Sequence, residues 1–128
     1  MSATPGFAST PKAYGTFISA ADSNRTSPSA YGTLVTGTSA GINVPAIYIK
    51  ARDSTTAGQI MFFMYDGSQS YLIHEEPVTA VQPAAGTPSF ETVYVPDLPI
   101  NVPTGWSLRV STLAANAFSI TVPSGGEL

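Results

Sequence analysis

Few residues in this chain have side chains that could do chemistry. There is one histidine, His74, and no cysteine. Gly37-Thr38-Ser39-Ala40-Gly41 matches G-x-S-x-G, the elbow that presents the nucleophilic serine of α/β-hydrolases at a sharp strand-to-helix turn. Here Ile42, Asn43, Val44 and Pro45 follow, and they lead into a strand rather than a helix. A serine nucleophile also needs a base within reach and a group that orients the base. His74 is the sole candidate base, and Asp53 and Asp66 are the only acids between Ser39 and His74. The match is read as a flexible loop, of the kind a Gly/Ser/Thr-rich sequence produces by chance. No catalytic residue is assigned, and the chain is expected not to be an enzyme.

His74 precedes Glu75 and Glu76. Adjacent residues of a strand point to opposite faces, so the two glutamates do not form an acid/base dyad. Glu76 shares the face of His74 two residues on. Such a pair could ligate a metal with help from another subunit. The plainer reading is a solvent-facing or interface histidine, and histidine makes an interface pH-sensitive. Asp66-Gly67-Ser68 resembles the start of a calcium loop, but the further carboxylates and the terminal glutamate are missing. Asn24-Arg25-Thr26 fits the glycosylation triplet. Residues 1–10 lack the basic start and apolar stretch of a secretory signal, so the triplet carries little weight. The absence of cysteine rules out disulfides and thiolate metal sites. No cofactor or metal is expected.

The elements that carry these residues read as strands. The chain has 128 residues, 43% of them hydrophobic, with 11 glycines and 11 prolines. That length fits one domain with a real core. Residues 44–52 alternate, with Ile47, Ile49 and Ala51 on one side and Tyr48 and Lys50 on the other, the period of a half-buried strand. Residues 60–65 are apolar on both faces, which suits a strand covered on both sides, by a second layer or by another subunit. Asp66-Gly67 is a hairpin signal leading to a return strand over 70–76. There, alternation puts Tyr71, Ile73 and Glu75 on one face and Leu72, His74 and Glu76 on the other. Further strands are read over 14–19 and 31–36, and alternating runs over 90–95, 106–111 and 118–122. Trp106 is expected in the core with Leu108 and Val110. Short strands at this spacing, with no helical period, predict an all-β protein. The expected fold is a β-sandwich of jelly-roll type with about eight strands. Residues 1–13 are read as an extended N-terminal arm, 14–122 as the single β-sandwich domain and 123–128 as a flexible C-terminal tail.

Five basic and eight acidic residues make up only 10% of the chain, and the net charge is -3. An ordinary domain is about 25% charged. No basic stripe is present on which counterion release could act, so no nucleic-acid partner is expected. No apolar run approaches the ~20 residues of a membrane-spanning helix, and no membrane association is expected.

Tyr31-Gly32-Thr33-Leu34-Val35-Thr36, Met64-Tyr65-Asp66-Gly67, Leu98-Pro99-Ile100 and Pro103-Thr104-Gly105-Trp106-Ser107-Leu108-Arg109-Val110-Ser111 together resemble small β-rich virion proteins encoded beside capsid genes in tailed bacteriophages. The last of these stretches also looks like the late strand of many viral jelly rolls, where a tight turn feeds an alternating strand. The resemblance implies a capsid decoration (cement) protein, trimeric, made in the host cytoplasm and placed on the virion surface against the major capsid protein. It carries no catalytic residues. A subunit of this kind needs wide neutral surfaces, because charge is depleted at interface cores. Phe7, Tyr14, Met61, Phe63, Tyr65 and His74 are the candidate interface residues. The alternative is a jelly-roll binding module of a phage head or tail fibre that recognises a host-surface glycan.

Overall fold

The computed structural model describes residues 9–128, so the candidate Phe7 lies outside the described residues. Ten strands follow in order: β1 (Thr10–Ile18), β2 (Gly32–Thr36), β3 (Ile42–Val44), β4 (Ile47–Ala51), β5 (Gly58–Tyr65), β6 (Ser70–Val78), β7 (Glu91–Tyr94), β8 (Ile100–Val102), β9 (Ser107–Thr112) and β10 (Phe118–Glu127). No helix forms among the described residues. The strand pairs within both sheets are antiparallel. In the first sheet the order is β1-β10-β4-β7, with β3 paired to the far end of β10 and β8 paired to β3. The second sheet runs β2-β9-β5-β6.

Alternation decides which face each strand buries. On β4, Ile47, Ile49 and Ala51 are buried while Tyr48 and Lys50 are exposed. Phe118, Ile120 and Val122 of β10 join them from the same sheet. Ile60 and Phe62 of β5 and Leu108 and Val110 of β9 face them from the other. Burying each such side chain contributes ≈ 1.5–3 kcal/mol, so this shared interior is what holds the two sheets together. Trp106 packs against it while staying partly exposed.

Several expected boundaries change. The run read as one strand over 44–52 is two strands, because Pro45 supplies no ladder N–H and the chain moves from one half of β10 to the other. The strand read from Tyr14 begins at Thr10, and residues 10–12 pair with Gly125–Glu127. Neither 10–13 nor 123–127 is therefore free of the sheet: residues 10–12 and 125–127 are each other's strand partners. Pro11 is tolerated because β1 pairs on one side only, and Pro123 sits where the β1–β10 register shifts.

On β5, Met61 and Phe63 point away from the shared interior, yet both are fully buried. The sequence left their cover open between a second layer and another subunit. Part of the cover comes from the chain itself. Asp22 N–H donates to the Thr112 carbonyl on β9 (2.9 Å), and Arg25 forms an ion pair with Glu75 on β6. Because β5 lies between β9 and β6, the segment after β1 crosses the outer face of β5 at Met61. Pro28 of the same segment is buried. Met61 and Phe63 are thus not surface contact residues of the folded chain.

Candidate functional site

β6 and β7 are the last strands of their sheets and lie along the same open edge of the sandwich. Between them is a cleft of about 600 Å³ lined by Ile73, His74, Glu76, Val93, Tyr94 and Asp97 together with Val95. A bulge makes this lining possible. Phe62 pairs with His74 but Phe63 pairs with Leu72, so Ile73 is an extra residue on β6. An extra residue reverses the facing of everything beyond it. Tyr71 therefore joins the inward side with His74 and Glu76, while Leu72 and Glu75 face outward. Uninterrupted alternation had grouped Tyr71 with Glu75 and Leu72 with His74.

The polar groups of the cleft are held by their neighbours. The His74 ring lies flat on Tyr94, with centroids 3.7 Å apart and planes 2° from parallel. Phe62 supports both rings from the core, at 5.5 Å from Tyr94 and 6.1 Å from His74. His74 Nε2 is 2.8 Å from Glu76 Oε1. Thr92 Oγ1 donates to Glu76 Oε2 at 3.5 Å. Burial pushes the Tyr94 hydroxyl above its usual range, and the nearby charges of Asp97 and Glu76 push it the same way. The arrangement orients a histidine, a glutamate and a tyrosine at a sheet edge. It does not bring them to Ser39, which sits in the exposed turn after β2, at the opposite edge of the second sheet from β6. Among the described residues no group of three His, Asp or Glu side chains could hold a metal ion.

A second cluster lies on the outer face of the sheet that carries β6. Arg109 of β9 places its guanidinium carbon 3.6 Å from the Tyr65 ring centroid and 4.1 Å from that of Tyr31. Its Nε is buried with no hydrogen-bond partner among the described residues. The ion pairs among the described residues are Arg25–Glu75, Lys50–Glu91 and His74–Glu76, and none includes Arg109. A third feature is at the β5–β6 turn, where Tyr71 stacks on Trp106 at 5.9 Å and donates to Asp66 Oδ2 at 3.1 Å.

Of the expected interface residues, the structure puts His74 in the edge cleft and Tyr65 in the arginine clamp. Tyr14 is half-buried on β1, and burial followed by the charge of Glu127 raises its hydroxyl above the usual range. These three do not form one patch. Sequence reasoning missed Tyr94, Asp97, Leu98 and Arg109. A signal existed for two of them: Leu98 is an apolar residue flanked by Pro96 and Pro99, and Arg109 is the lone charge between Ser107 and Ser111 on the face opposite Leu108 and Val110. Comparison with protein-family models, curated proteins and solved structures finds no match for this chain.

Proposed function

We propose that the protein is a structural subunit that works by self-association, and that it decorates or cements a phage capsid as a trimer bound to the major capsid protein. The observation that carries this is the edge at β6 and β7. Ile73, Val93, Val95 and Leu98 are all exposed there, and Leu98, at 80%, is the most exposed large hydrophobic residue among the described residues. Two unpaired strand edges beside a cluster of apolar side chains are a liability for a lone protein and a ready contact for a neighbour. The low charge of the chain favours the same reading, since interface cores are poor in charge. The strand order also supports it. With β3 and β8 taken as short extensions, β1-β10-β4-β7 facing β2-β9-β5-β6 is read as a jelly roll, an architecture of viral capsid and lectin domains. The phage setting itself rests on the sequence resemblance.

Measuring the native mass and co-sedimentation with purified capsids tests the reading. The expected result is a trimer that binds the shell at its outer surface. A monomer that also fails to bind capsids overturns it. The second reading, recognition of a host glycan, draws on Tyr71 and Trp106. Stacked aromatics beside a carboxylate and Gln69 form the kind of platform on which a sugar ring packs. Saturable binding on a glycan array, lost in Tyr71→Ala, would favour that reading over the first.

A further inference from the structure

Arg109 carries a charge that the described residues do not neutralise. Two tyrosine rings hold its guanidinium, and its Nε is hidden without a hydrogen-bond partner among those residues. Ring stacking fixes the orientation of the planar fork, so little freedom remains to be lost when the fork binds. A fork in this state suits a carboxylate, which it can meet with two parallel hydrogen bonds. Its surroundings are partly apolar. Tyr31 is exposed beside it, and Leu72 lies one strand beyond Phe63 in the same row and is also exposed.

The same chain displays a matching shape elsewhere. Between β7 and β8 runs Val95-Pro96-Asp97-Leu98-Pro99. Val95 is 65% exposed and Leu98 80%. Asp97 is exposed and forms no ion pair or hydrogen bond among the described residues. Pro96 and Pro99 each fix a backbone angle, so the loop is stiffened before it binds, which lowers the cost of docking. It presents one carboxylate between two apolar side chains, while the Arg109 clamp presents one cation beside apolar side chains.

We propose that the 95–99 loop of one copy docks on the Arg109 clamp of the next, with Asp97 on the guanidinium and Leu98 against Tyr31 and Leu72. The inference rests on the self-association reading and specifies its contact. The contact joins two different surfaces, so it is head-to-tail, and head-to-tail contacts close into rings when the rotation permits. A ring of three is consistent with the trimer proposed above.

The test is sedimentation of the full chain across a concentration series, for the wild type, Arg109→Glu, Asp97→Lys and the double variant carrying both changes. Each single variant should weaken association at least about tenfold, which is ~1.4 kcal/mol. The double variant should recover most of the loss, because the charge pair is restored in reverse. Asp97 lies in an exposed loop, so its replacement leaves the fold intact, and a thermal melt of each variant checks this. Leu98→Ala should weaken association without altering its salt dependence. Single variants that assemble like the wild type, or a double variant no better than either single, overturn the contact. A wild type that assembles while every variant does so equally defeats this inference alone. A wild type that stays monomeric and fails to bind capsids defeats the self-association reading as well.

Discussion

At the scale of the residue, several side chains that look like functional signals are local structural devices. Gly37 and Gly41 form the glycine frame of the G-x-S-x-G match, and each has a backbone reason to be glycine. A Cβ on Gly37 would come within 1.8 Å of the Pro103 carbonyl oxygen, and Gly41 adopts φ +81° to close the turn with Thr38. Asn24, of the glycosylation triplet, accepts from the Thr26 and Ser27 N–H groups at 2.8 and 2.9 Å. Asp22 does similar work on a larger loop. Its carboxylate accepts from the backbone N–H groups of Asn24, Ser29 and Ala30 at 2.7–2.9 Å. These bonds favour the ionised form and hold its carboxyl below the usual range, with Ala30 the largest contributor. The folded-state value is lowered, so the stabilisation is fully present above the unfolded value of about 3.9. It is lost as pH falls through the lower folded value. Asp22→Ala should therefore cost about 1–3 kcal/mol near pH 7, and its gap from wild type should narrow below about pH 4. Urea unfolding at both pH values checks this. An equal gap at pH 3 and pH 7 would mean that the ionised carboxylate is not what organises the loop. None of this was legible in the sequence, because the partners of Asp22 lie up to eight residues away in an irregular segment.

At the scale of the element, alternation was legible and its interruptions were not. The buried and exposed positions of β4 follow the pattern read from Ile47 to Ala51. The two-faced character of β5 was also visible, but what covers it was not. Its inner face packs in the sandwich, and part of the cover on its outer face is the chain's own crossing segment. The bulge at Ile73 left no mark in the sequence. It decides that His74 faces the core edge with Tyr71 and Glu76 and not with Leu72. The central role of β5 gives a clear expectation for Phe62, which is fully buried and touches both Tyr94 and His74. Phe62→Ala removes core volume and the support beneath the cleft at once. It should cost about 3–5 kcal/mol, measured as a shift of the urea midpoint at unchanged slope. A loss below about 1 kcal/mol would mean that the core collapses to fill the space. In that case the His74–Tyr94 stack does not depend on Phe62.

At the scale of the whole molecule, the all-β class and the sandwich were readable from strand spacing, while the closure of the chain on itself was not. Composition made residues 123–128 look like a tail, since Pro, Ser and two glycines usually mark one. In the structure one glycine allows a close approach and the other a positive φ. A Cβ on Gly125 would stand 2.8 Å from the Asn43 carbonyl oxygen, and Gly126 holds φ +148°. Residues 125–127 pair with β1, residues 126–127 also pair with β3, and Leu128 N–H donates to the Gly41 carbonyl at 3.0 Å. This short segment fastens the first strand and the β3–β8 extension to one sheet. A chain ending at Val122 would strip residues 10–12 of their strand partner and leave β3 paired to β8 alone. Each lost backbone bond costs ≈ 1 kcal/mol, so the truncated chain should be destabilised by ~3 kcal/mol or more. Hydrogen exchange should show β1 and β3 opening first, since local stability follows local pairing. If the truncated chain melts at the full-length temperature with β1 still protected, then β1 is held by its pairing with residues 118–122 alone. The last six residues would then serve a contact outside the fold.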